Sequence, residues 1–216
     1  MNINFKDLTD RLYSAVICDA LDSMGYSAQS PRIEFSGYTG VQKLMGRSKT
    51  TLWVDMYHED PEPYDLELQA VDSCQPGDVL IAAAGGSVRS GIWGELLSTA
   101  AFNSGCRGAI IHGAIRDIDK MERMKFPVFA TSRCVYDSQN RQRVVDLDVP
   151  VEIGDVRVYP GDLVFADKDG LVFIPQKIEV EVIEKALEKV SAENITRDAI
   201  KAGMKATAAY DKYGVL

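Results

Sequence analysis

The stretch from residue 79 to residue 130 constrains the fold most, because apolar runs typical of buried strands alternate there with segments of helical periodicity. The expected elements follow one another as strand 79–84, helix 95–103, strand 108–112, helix 117–124 and strand 128–130. Strands joined by helices are typical of a parallel sheet, since each helix carries the chain back across the sheet. The sequence therefore predicts an α/β core.

The segments before this core combine helices with strands. Two short helical patterns open the chain. Alternating and β-branched residues then predict strands over 38–44 and 48–56, with a turn at 45–47, where Gly46 interrupts the pattern. We therefore expect two strands joined by a turn on the amino-terminal side of the core.

The segments after the core predict short strands followed by helices. Residues 144–174 contain short strand-like runs divided by Gly-Asp and Pro-Gly-Asp turns. The chain is then helical from Lys177, with a second helix expected from Asn194 to about Tyr213. We expect one domain, in which residues 1–175 form the α/β core and residues 176–216 form a C-terminal helical extension.

The charge of the chain argues against two classes of partner. Lys and Arg number 24 against 32 Asp and Glu, which gives a formal net charge of -8 at pH 7. An acidic chain without a Lys/Arg cluster is poorly suited to a nucleic-acid backbone or an anionic membrane surface. The sequence also lacks a run of ~18 apolar residues and a secretory signal pattern. We expect no nucleic-acid partner and no membrane partner.

The cysteines and histidines restrict the chemistry of a metal site. The four cysteines are scattered without a C-x-x-C pair, at Cys18, Cys74, Cys106 and Cys134. Reduced thiols fit a cytoplasmic location. His58 and His112 are the only histidines, so one chain cannot form a three-histidine zinc site. Any metal is therefore expected to be held mainly by oxygen, which favours a hard ion such as Mg²⁺.

A glycine-rich loop over 85–94 precedes the helix expected at 95–103. Backbone N–H groups at a helix N-terminus bind anions, and glycines allow a ligand to approach closely. The loop is not a P-loop, because Ile92 and Trp93 stand where Lys and Ser/Thr are required. A small anion such as a carboxylate is one possible ligand, and a purely structural turn is the alternative.

Arg116 and Asp117 follow the strand expected at 108–112. Open α/β sheets bind ligands at the carboxyl ends of their strands. Arg116 could contact a carboxylate with its planar guanidinium, and Asp117 could hold a divalent cation. An ordinary ion pair and a helix cap are the alternative. Glu95 opens a helix, where the helix dipole favours a carboxylate in any case.

Together these residues resemble a known pattern. Glu95, twenty intervening residues and then Arg116-Asp117 resemble the D/E-x20-R-D motif of the RraA-like family. The resemblance extends over 85–117 and 161–175, and more loosely over 14–22 and 212–216. That family contains regulators of ribonuclease E activity and divalent-metal-dependent 4-hydroxy-4-methyl-2-oxoglutarate aldolases.

The resemblance implies a fold and a set of site residues. The fold would be a layered β/β/α type of α/β fold, assembled as a homotrimer or homohexamer with sites at subunit interfaces. Arg116 would contact a 2-oxo acid, and Asp117 would hold Mg²⁺ or Mn²⁺. The backbone amides that would meet the substrate carboxylate are those of Gly94, Glu95, Leu96 and Leu97. The best-defined aldolases carry Asp where this chain has Glu95, which is a departure at a water-positioning residue.

Two functions from different classes follow from the resemblance. The first is a class II aldolase or decarboxylase that cleaves a 4-hydroxy-2-oxo acid to pyruvate, with oxaloacetate decarboxylation as a side activity. No lysine lies within 79–117, so a metal rather than a Schiff base is expected to stabilise the enolate. Glu95 would orient a water that takes the 4-hydroxyl proton and later reprotonates the enolate. The alternative is a non-catalytic regulator that binds a ribonuclease.

An acidic residue from a neighbouring subunit is also implied by the resemblance. Glu188 and Glu193 are the candidates in the C-terminal helical region, and Glu193 is preferred because residues 191–194 look most like the family's stretch there. A solvated helix face is the alternative explanation for both residues. If the site is shared between subunits, an isolated subunit is expected to be inactive.

Overall fold

The computed structural model describes residues 4–215, so the final residue of the 212–216 stretch lies outside the described part. Its strands form a nine-stranded mixed sheet and a separate two-stranded hairpin. In chain order the strands are β1 (Ser36–Gly37), β2 (Leu44–Asp55), β3 (Asp78–Ala83), β4 (Gly91–Trp93), β5 (Gly108–Ile115), β6 (Val128–Arg133), β7 (Gln142–Leu147), β8 (Val151–Ile153), β9 (Val156–Val158), β10 (Leu163–Ala166) and β11 (Leu171–Ile174). The α-helices are α1 (Phe5–Arg11), α2 (Ser14–Ser23), α3 (Asp65–Asp72), α4 (Glu95–Asn103), α5 (Ile118–Met124), α6 (Glu179–Lys201) and α7 (Ala206–Tyr213).

The parallel core expected from the sequence is confirmed. The main path of the sheet runs β1-β6-β5-β3-β2-β10-β11, and β4 and β7 pair with β5 and β2. Strands β2, β3, β5 and β6 are parallel to one another. Strand β1 pairs antiparallel with β6, and β7, β10 and β11 are antiparallel to the strands beside them. Helices α4 and α5 connect the parallel strands, as the alternating pattern predicts. Strand β5 is longer than expected and ends at Ile115.

Both faces of the central strands are buried, which gives the fold its layers. Along β3, Leu80 and Ala82 pack into a cluster with residues of α3, α4 and α5. Val79, Ile81 and Ala83 face the other way and pack against the β8–β9 hairpin and strands β10 and β11. Because side chains alternate across a strand, one apolar run serves both clusters. A helical layer, the sheet and a second β layer result, which confirms the layered β/β/α expectation.

The predicted turn at 45–47 is wrong, because the chain runs through it as the single strand β2. Gly46 pairs with Val164 of β10 inside this strand. A Cβ atom on Gly46 would lie 2.5 Å from the backbone oxygen of Gly77. Glycine is therefore needed here for a close approach of two backbones and not for a turn. The strand expected over 38–44 is also wrong, since only its last residue is in a strand.

The C-terminal helices differ from the expectation in where they divide. Helix α6 is continuous through Asn194, and the break comes at Gly203, which adopts a φ of +98°. No Gly or Pro lies within α6 to end it earlier. Helix α6 packs on α2, and its Val182 and Ala186 belong to a buried apolar cluster shared with α2, β10 and β11, so the extension packs on the core. None of the helices between residues 4 and 215 is long and apolar enough to cross a membrane.

Candidate active site

The end of β5 and the start of α4 bring the sequence-predicted site residues together. Strand β4 pairs in parallel with the last residues of β5, and the backbone N–H of Arg116 donates to the carbonyl oxygen of Trp93 at 2.9 Å. The buried Trp93 indole donates to the hydroxyl of Ser98 at 2.8 Å, which ties the first turn of α4 to the strand. The glycine-rich loop and the Arg116-Asp117 pair therefore share one edge of the sheet, as expected for strand carboxyl ends.

Two glycines make this proximity possible. A Cβ atom on Gly94 would lie 2.7 Å from Oδ2 of Asp117, and one on Gly91 would lie 2.3 Å from the carbonyl oxygen of Cys134. Gly94 has an extended backbone, with a φ of -151°, so its role is to leave space and not to adopt a left-handed conformation. The glycines of this loop thus allow the Asp117 carboxylate to lie against the amino end of α4.

Asp117 is the N-cap residue of α5, but its side chain does not cap the helix. Its φ is 57° and its ψ is 31°, a left-handed conformation that aspartate tolerates better than most residues. No side-chain hydrogen bond from Asp117 caps α5. Its Oδ2 instead accepts a long 3.4 Å hydrogen bond from the backbone N–H of Glu95, and the residue is exposed. The carboxylate is therefore accessible to a ligand, and the helix-cap alternative does not account for it.

Arg116 pairs with a residue that the sequence did not indicate. Its Nη2 lies 2.5 Å from Oδ2 of Asp137, in the loop after β6, and both side chains are about one third exposed. Oδ1 of Asp137 accepts hydrogen bonds from the Tyr64 hydroxyl at 2.6 Å and from the Gln139 N–H at 2.8 Å. Burial acts to raise the pKa of Asp137, but these hydrogen bonds and Arg116 lower it overall. Asp137 thus holds the guanidinium in place as an ionised partner.

Glu67 is the second residue that sequence reasoning missed. It lies on α3 and is only 8% exposed. Burial, followed by the nearby charge of Asp137, raises the pKa of Glu67 to about 8, although the Ser138 hydroxyl and Arg116 act in the opposite direction. One sequence signal was available, since Glu67 falls on the same helical face as the buried Ala70 and Val71. A carboxyl group on an apolar helix face is an observation that calls for an explanation.

These side chains surround a pocket of about 270 Å³. Its lining residues are Tyr64, Glu67, Leu68, Gly91, Ile92, Gly94, Leu96, Leu97, Arg116, Asp117, Asp137 and Ser138. Most of the predicted substrate-binding residues are therefore in one place. The side chain of Glu95 folds back along its own helix, where its Oε1 accepts from the Thr99 hydroxyl at 3.1 Å.

A second and more open hollow of about 600 Å³ lies on the other side of Arg116 and Asp117. Lys120, Arg123 and Arg133 also line it, together with the single further carboxylate of Asp119. The Arg116-Asp117 pair thus separates a narrow pocket with carboxyl groups from a wider hollow with several cations. An anionic group would be favoured electrostatically in the wider hollow.

Glu193, the preferred interface acid, lies on α6 and is engaged within its own chain. The Tyr13 hydroxyl donates to Oε2 of Glu193, and Arg197 Nη2 lies 3.5 Å from the same oxygen. Burial, and next the hydrogen bond to Glu193, raise the pKa of Tyr13 to about 12. The alternative candidate Glu188 is exposed on the same helix. Neither residue lines the pocket at Arg116, so a role for either depends on a second subunit.

The carboxylates of the site suit a hard divalent cation held by few protein ligands. Within residues 4–215 no group of three or more His, Cys, Asp or Glu side chains is arranged as a metal cage. Mg²⁺ commonly uses one or two carboxylates and completes its shell with waters and substrate oxygens. The exposed Asp117 carboxylate, beside the space left by Gly94, fits that mode of binding.

Comparison with known proteins identifies the family. The RraA-like family model, described as Aldolase/RraA, matches residues 14–173. The chain belongs to the RraA-like family. The resemblance inferred from Glu95, Arg116 and Asp117 is therefore confirmed, and the matched region contains all three residues.

Individual RraA-like relatives agree with this assignment. A protein of Halalkalibacterium halodurans, provisionally named as a 4-hydroxy-4-methyl-2-oxoglutarate aldolase, is 32% identical over 143 residues, which cover 66% of this chain and 68% of that protein. The protein DlpA of Legionella pneumophila is 26% identical over 200 residues, but the match spans 93% of this chain and only 32% of DlpA. The chain thus corresponds to about a third of that longer protein.

A solved structure of an RraA-like protein has the same fold. RraAS2 of Streptomyces coelicolor, described as an unusual member of the RNase ES inhibitor RraA protein family, superimposes with a TM-score of 0.78 at 29% identity. The match covers 88% of this chain and 96% of that structure. The relatives therefore include both proteins named as aldolases and a protein named for ribonuclease inhibition.

Proposed function

We propose that the protein is a divalent-metal-dependent lyase that cleaves a 4-hydroxy-2-oxo acid, of the 4-hydroxy-4-methyl-2-oxoglutarate type, to pyruvate. Decarboxylation of oxaloacetate is the expected side activity, since it passes through the same pyruvate enolate. The observation that carries the proposal is the meeting of Arg116, Asp117 and the amino end of α4 at one pocket. The names of relatives as aldolases support the same reaction class.

The amino end of α4 is the proposed site for the substrate carboxylate. The first N–H groups of a helix lack partners within the helix and favour an anion. Gly94, Leu96 and Leu97 line the pocket at this end of the helix. The backbone amides of Gly94, Glu95, Leu96 and Leu97 would hold the carboxylate and so direct the 2-oxo group toward Arg116.

Asp117 is the proposed protein ligand of Mg²⁺ or Mn²⁺. When bound, the cation would supply an electrophile for the 2-oxo group of the substrate. Arg116 would place its positive charge beside the oxygen on which the enolate charge develops, an interaction that strengthens as the reaction proceeds. Asp137 would keep the Arg116 guanidinium oriented, because it holds one edge of the planar group by a 2.5 Å contact.

Glu95 is the proposed residue that positions a water molecule for the 4-hydroxyl proton. Its carboxylate accepts a hydrogen bond from the Thr99 hydroxyl at 3.1 Å along α4, so the side chain would have to turn toward the pocket to meet a water there. Once turned, the carboxylate could orient that water as a general base. The extra methylene of Glu relative to Asp would bring that water to a different position and so change the substrate preference.

The wider hollow supports an acidic distal group on the substrate. Lys120, Arg123 and Arg133 line it beside Arg116 and Asp117. A second carboxylate, as on a 2-oxoglutarate skeleton, would meet these cations. A panel of 4-hydroxy-2-oxo acids with and without this distal carboxylate tests the point by pyruvate release. We expect the acids that carry it to have the lower KM.

The surroundings of the site also bear on assembly. Leu96 and Val135 are 78% and 85% exposed close to Arg116 and Asp117. Exposed apolar side chains at a site are typical of an interface. We propose that the protein assembles as a homotrimer or homohexamer and that Glu193 of a neighbouring subunit completes the site. A cytoplasmic location is proposed in addition, because all four cysteines are free thiols.

The second candidate function is a regulator that binds a ribonuclease without chemistry of its own. The exposed apolar residues favour it as well, and so does the net charge of -8, which suits a basic partner. A calorimetric titration with oxalate, an analogue of the pyruvate enolate, separates the two functions. The enzyme is expected to bind oxalate only with Mg²⁺ or Mn²⁺ present. A chain that binds the ribonuclease but shows no such metal-dependent binding supports the regulator.

A further inference from the structure

Glu67 occupies a position that packing alone does not explain. It lies on the buried face of α3, and yet its side chain lines the pocket that contains Arg116 and Asp117. Within the described part of the chain no salt bridge involves Glu67, and its one side-chain hydrogen bond is a long one of 3.5 Å from the Ser138 hydroxyl. A buried carboxyl group so weakly partnered costs stability. A role in the pocket would account for its presence.

The environment of Glu67 differs from that of the neighbouring Asp137. Asp137 is paired with Arg116 and accepts two further hydrogen bonds. Glu67 is more deeply buried, and the negative charge of Asp137 acts on it. The pKa of Asp137 is lowered and the pKa of Glu67 is raised to about 8. Two carboxyl groups whose pKa values are moved apart in one pocket are typical of an ionised group and a proton donor acting side by side.

We propose that Glu67 is the acid that returns a proton to carbon 3 of the pyruvate enolate. This inference rests on the proposed lyase function. In the step, the carbon–carbon π electron pair of the enolate takes the Glu67 carboxyl proton, a C–H bond forms at carbon 3, and the negative charge passes to Glu67. Water then restores the proton on Glu67. The water held by Glu95 would act only on the 4-hydroxyl proton, so the two proton transfers use different residues.

The reverse of this step provides the test. By microscopic reversibility, the group that protonates the enolate also removes a proton from the methyl group of pyruvate. Wild-type protein with Mg²⁺ and pyruvate in D₂O should therefore exchange the methyl hydrogens, as followed by proton NMR. We expect Glu67→Gln to lower the exchange rate by about 100-fold or more, the usual effect of removing a general acid or base. Oxalate affinity should change by less than about threefold, because the metal and Arg116 remain in place.

A matched control comes from the same helix. Asp72 lies on α3 but is exposed and away from the pocket, so Asp72→Asn should leave exchange unchanged. Thermal unfolding of both variants shows that each is folded. A structural role for Glu67 would instead raise KM and weaken oxalate binding with little change in the rate at saturation.

A proton-transfer role for Glu67 predicts opposite pH dependences for hydrogen exchange and for pyruvate release, which a structural role would not produce. The titratable groups that act on Glu67 are Asp137, Arg116 and Tyr64. Asp117 lines the same pocket, to which α4 contributes the uncharged Leu96 and Leu97. Exchange needs Glu67 ionised, so its rate should rise with pH up to about 8. Pyruvate release needs Glu67 protonated, so it should fall as pH rises through the same range. Glu67→Gln should lose both dependences.

The outcomes distinguish this inference from the function on which it rests. If the wild type cleaves 4-hydroxy-2-oxo acids and Glu67→Gln exchanges pyruvate hydrogens at the wild-type rate, Glu67 is not the proton donor, although the lyase function stands. If the wild type neither cleaves these acids nor exchanges pyruvate hydrogens with Mg²⁺, the lyase function is wrong and the inference falls with it.

Discussion

Adding one methyl group at Gly94 should displace the proposed metal ligand without disturbing the backbone. The new Cβ would lie 2.7 Å from Oδ2 of Asp117, where ordinary contact begins at 3.4 Å. The carboxylate would have to move by about 0.7 Å, since the backbone at Gly94 is extended and accepts alanine without strain. A displacement of about 1 Å at a reacting centre can cost about 100-fold in rate. We therefore expect Gly94→Ala to lower kcat/KM for pyruvate release by about 10- to 100-fold.

The assay combines metal binding with a double-mutant comparison. Calorimetry with Mn²⁺ should show weaker binding in Gly94→Ala, while thermal unfolding should change by less than about 1 kcal/mol because the collision is at an exposed carboxylate. In the Asp117→Ala background the same change should have no further effect on Mn²⁺ binding, as expected when two residues act through one contact. Unchanged Mn²⁺ affinity and turnover in folded Gly94→Ala would refute the placement of the metal at Asp117.

Three further predictions follow from the same geometry. Arg116→Lys should lower kcat/KM by about 10-fold or more, because an ammonium group cannot hold Asp137 and a substrate oxygen with one planar group; steady-state kinetics equal to wild type would count against the role of Arg116. The free energy of unfolding of Glu67→Gln, measured with urea, should rise relative to that of the wild type when the pH is raised from 5 to 8.5. The pKa of Glu67 is raised from 4.5 to about 8 on folding, so the wild type loses stability as pH rises through that window and the variant does not; equal pH dependence in both proteins would show that Glu67 is not protonated in the folded state. Truncation after Gln176 should abolish both assembly and turnover if Glu193 completes a neighbour's site, and a monomer by light scattering that keeps full-length activity would contradict the shared site.

The parts of the fold that the sequence predicts correctly depend on local patterns. The alternation of apolar strands and amphipathic helices over 79–130 is a periodicity that each segment carries by itself, and helix α4 has the bounds expected for it. The Arg116-Asp117 pair was identifiable because it follows a buried strand, where parallel sheets place their ligands.

The errors arise where a long-range contact decides the structure. A glycine at position 46 is typical of a turn, but here its missing side chain leaves space for the backbone of Gly77, which lies in the turn before β3. The second helix expected from Asn194 does not begin there, because α6 continues through this residue and no Gly or Pro within it disfavours helical backbone. The residues next to each position in the sequence predict neither the approach of Gly77 to Gly46 nor the uninterrupted course of α6.

The same limit applies to the site. Tyr64, Glu67 and Asp137 reach the pocket from α3 and from the loop after β6, far along the chain from the Arg116-Asp117 pair. Each is unremarkable in its own segment, where Asp137 precedes a polar turn and Tyr64 follows two prolines. Their effect on Arg116 and on each other depends on burial and distance, which a single sequence does not state.

The central claim is that Arg116 and Asp117 form a metal-dependent site for cleavage of a 2-oxo acid. The most direct measurement is the rate of pyruvate release from 4-hydroxy-4-methyl-2-oxoglutarate by metal-free wild type, by wild type with Mg²⁺ and by Asp117→Asn with Mg²⁺. We expect turnover only in the wild type with Mg²⁺, because only there are both the Asp117 carboxylate and the cation present. Full turnover in excess EDTA, or in Asp117→Asn, would contradict it.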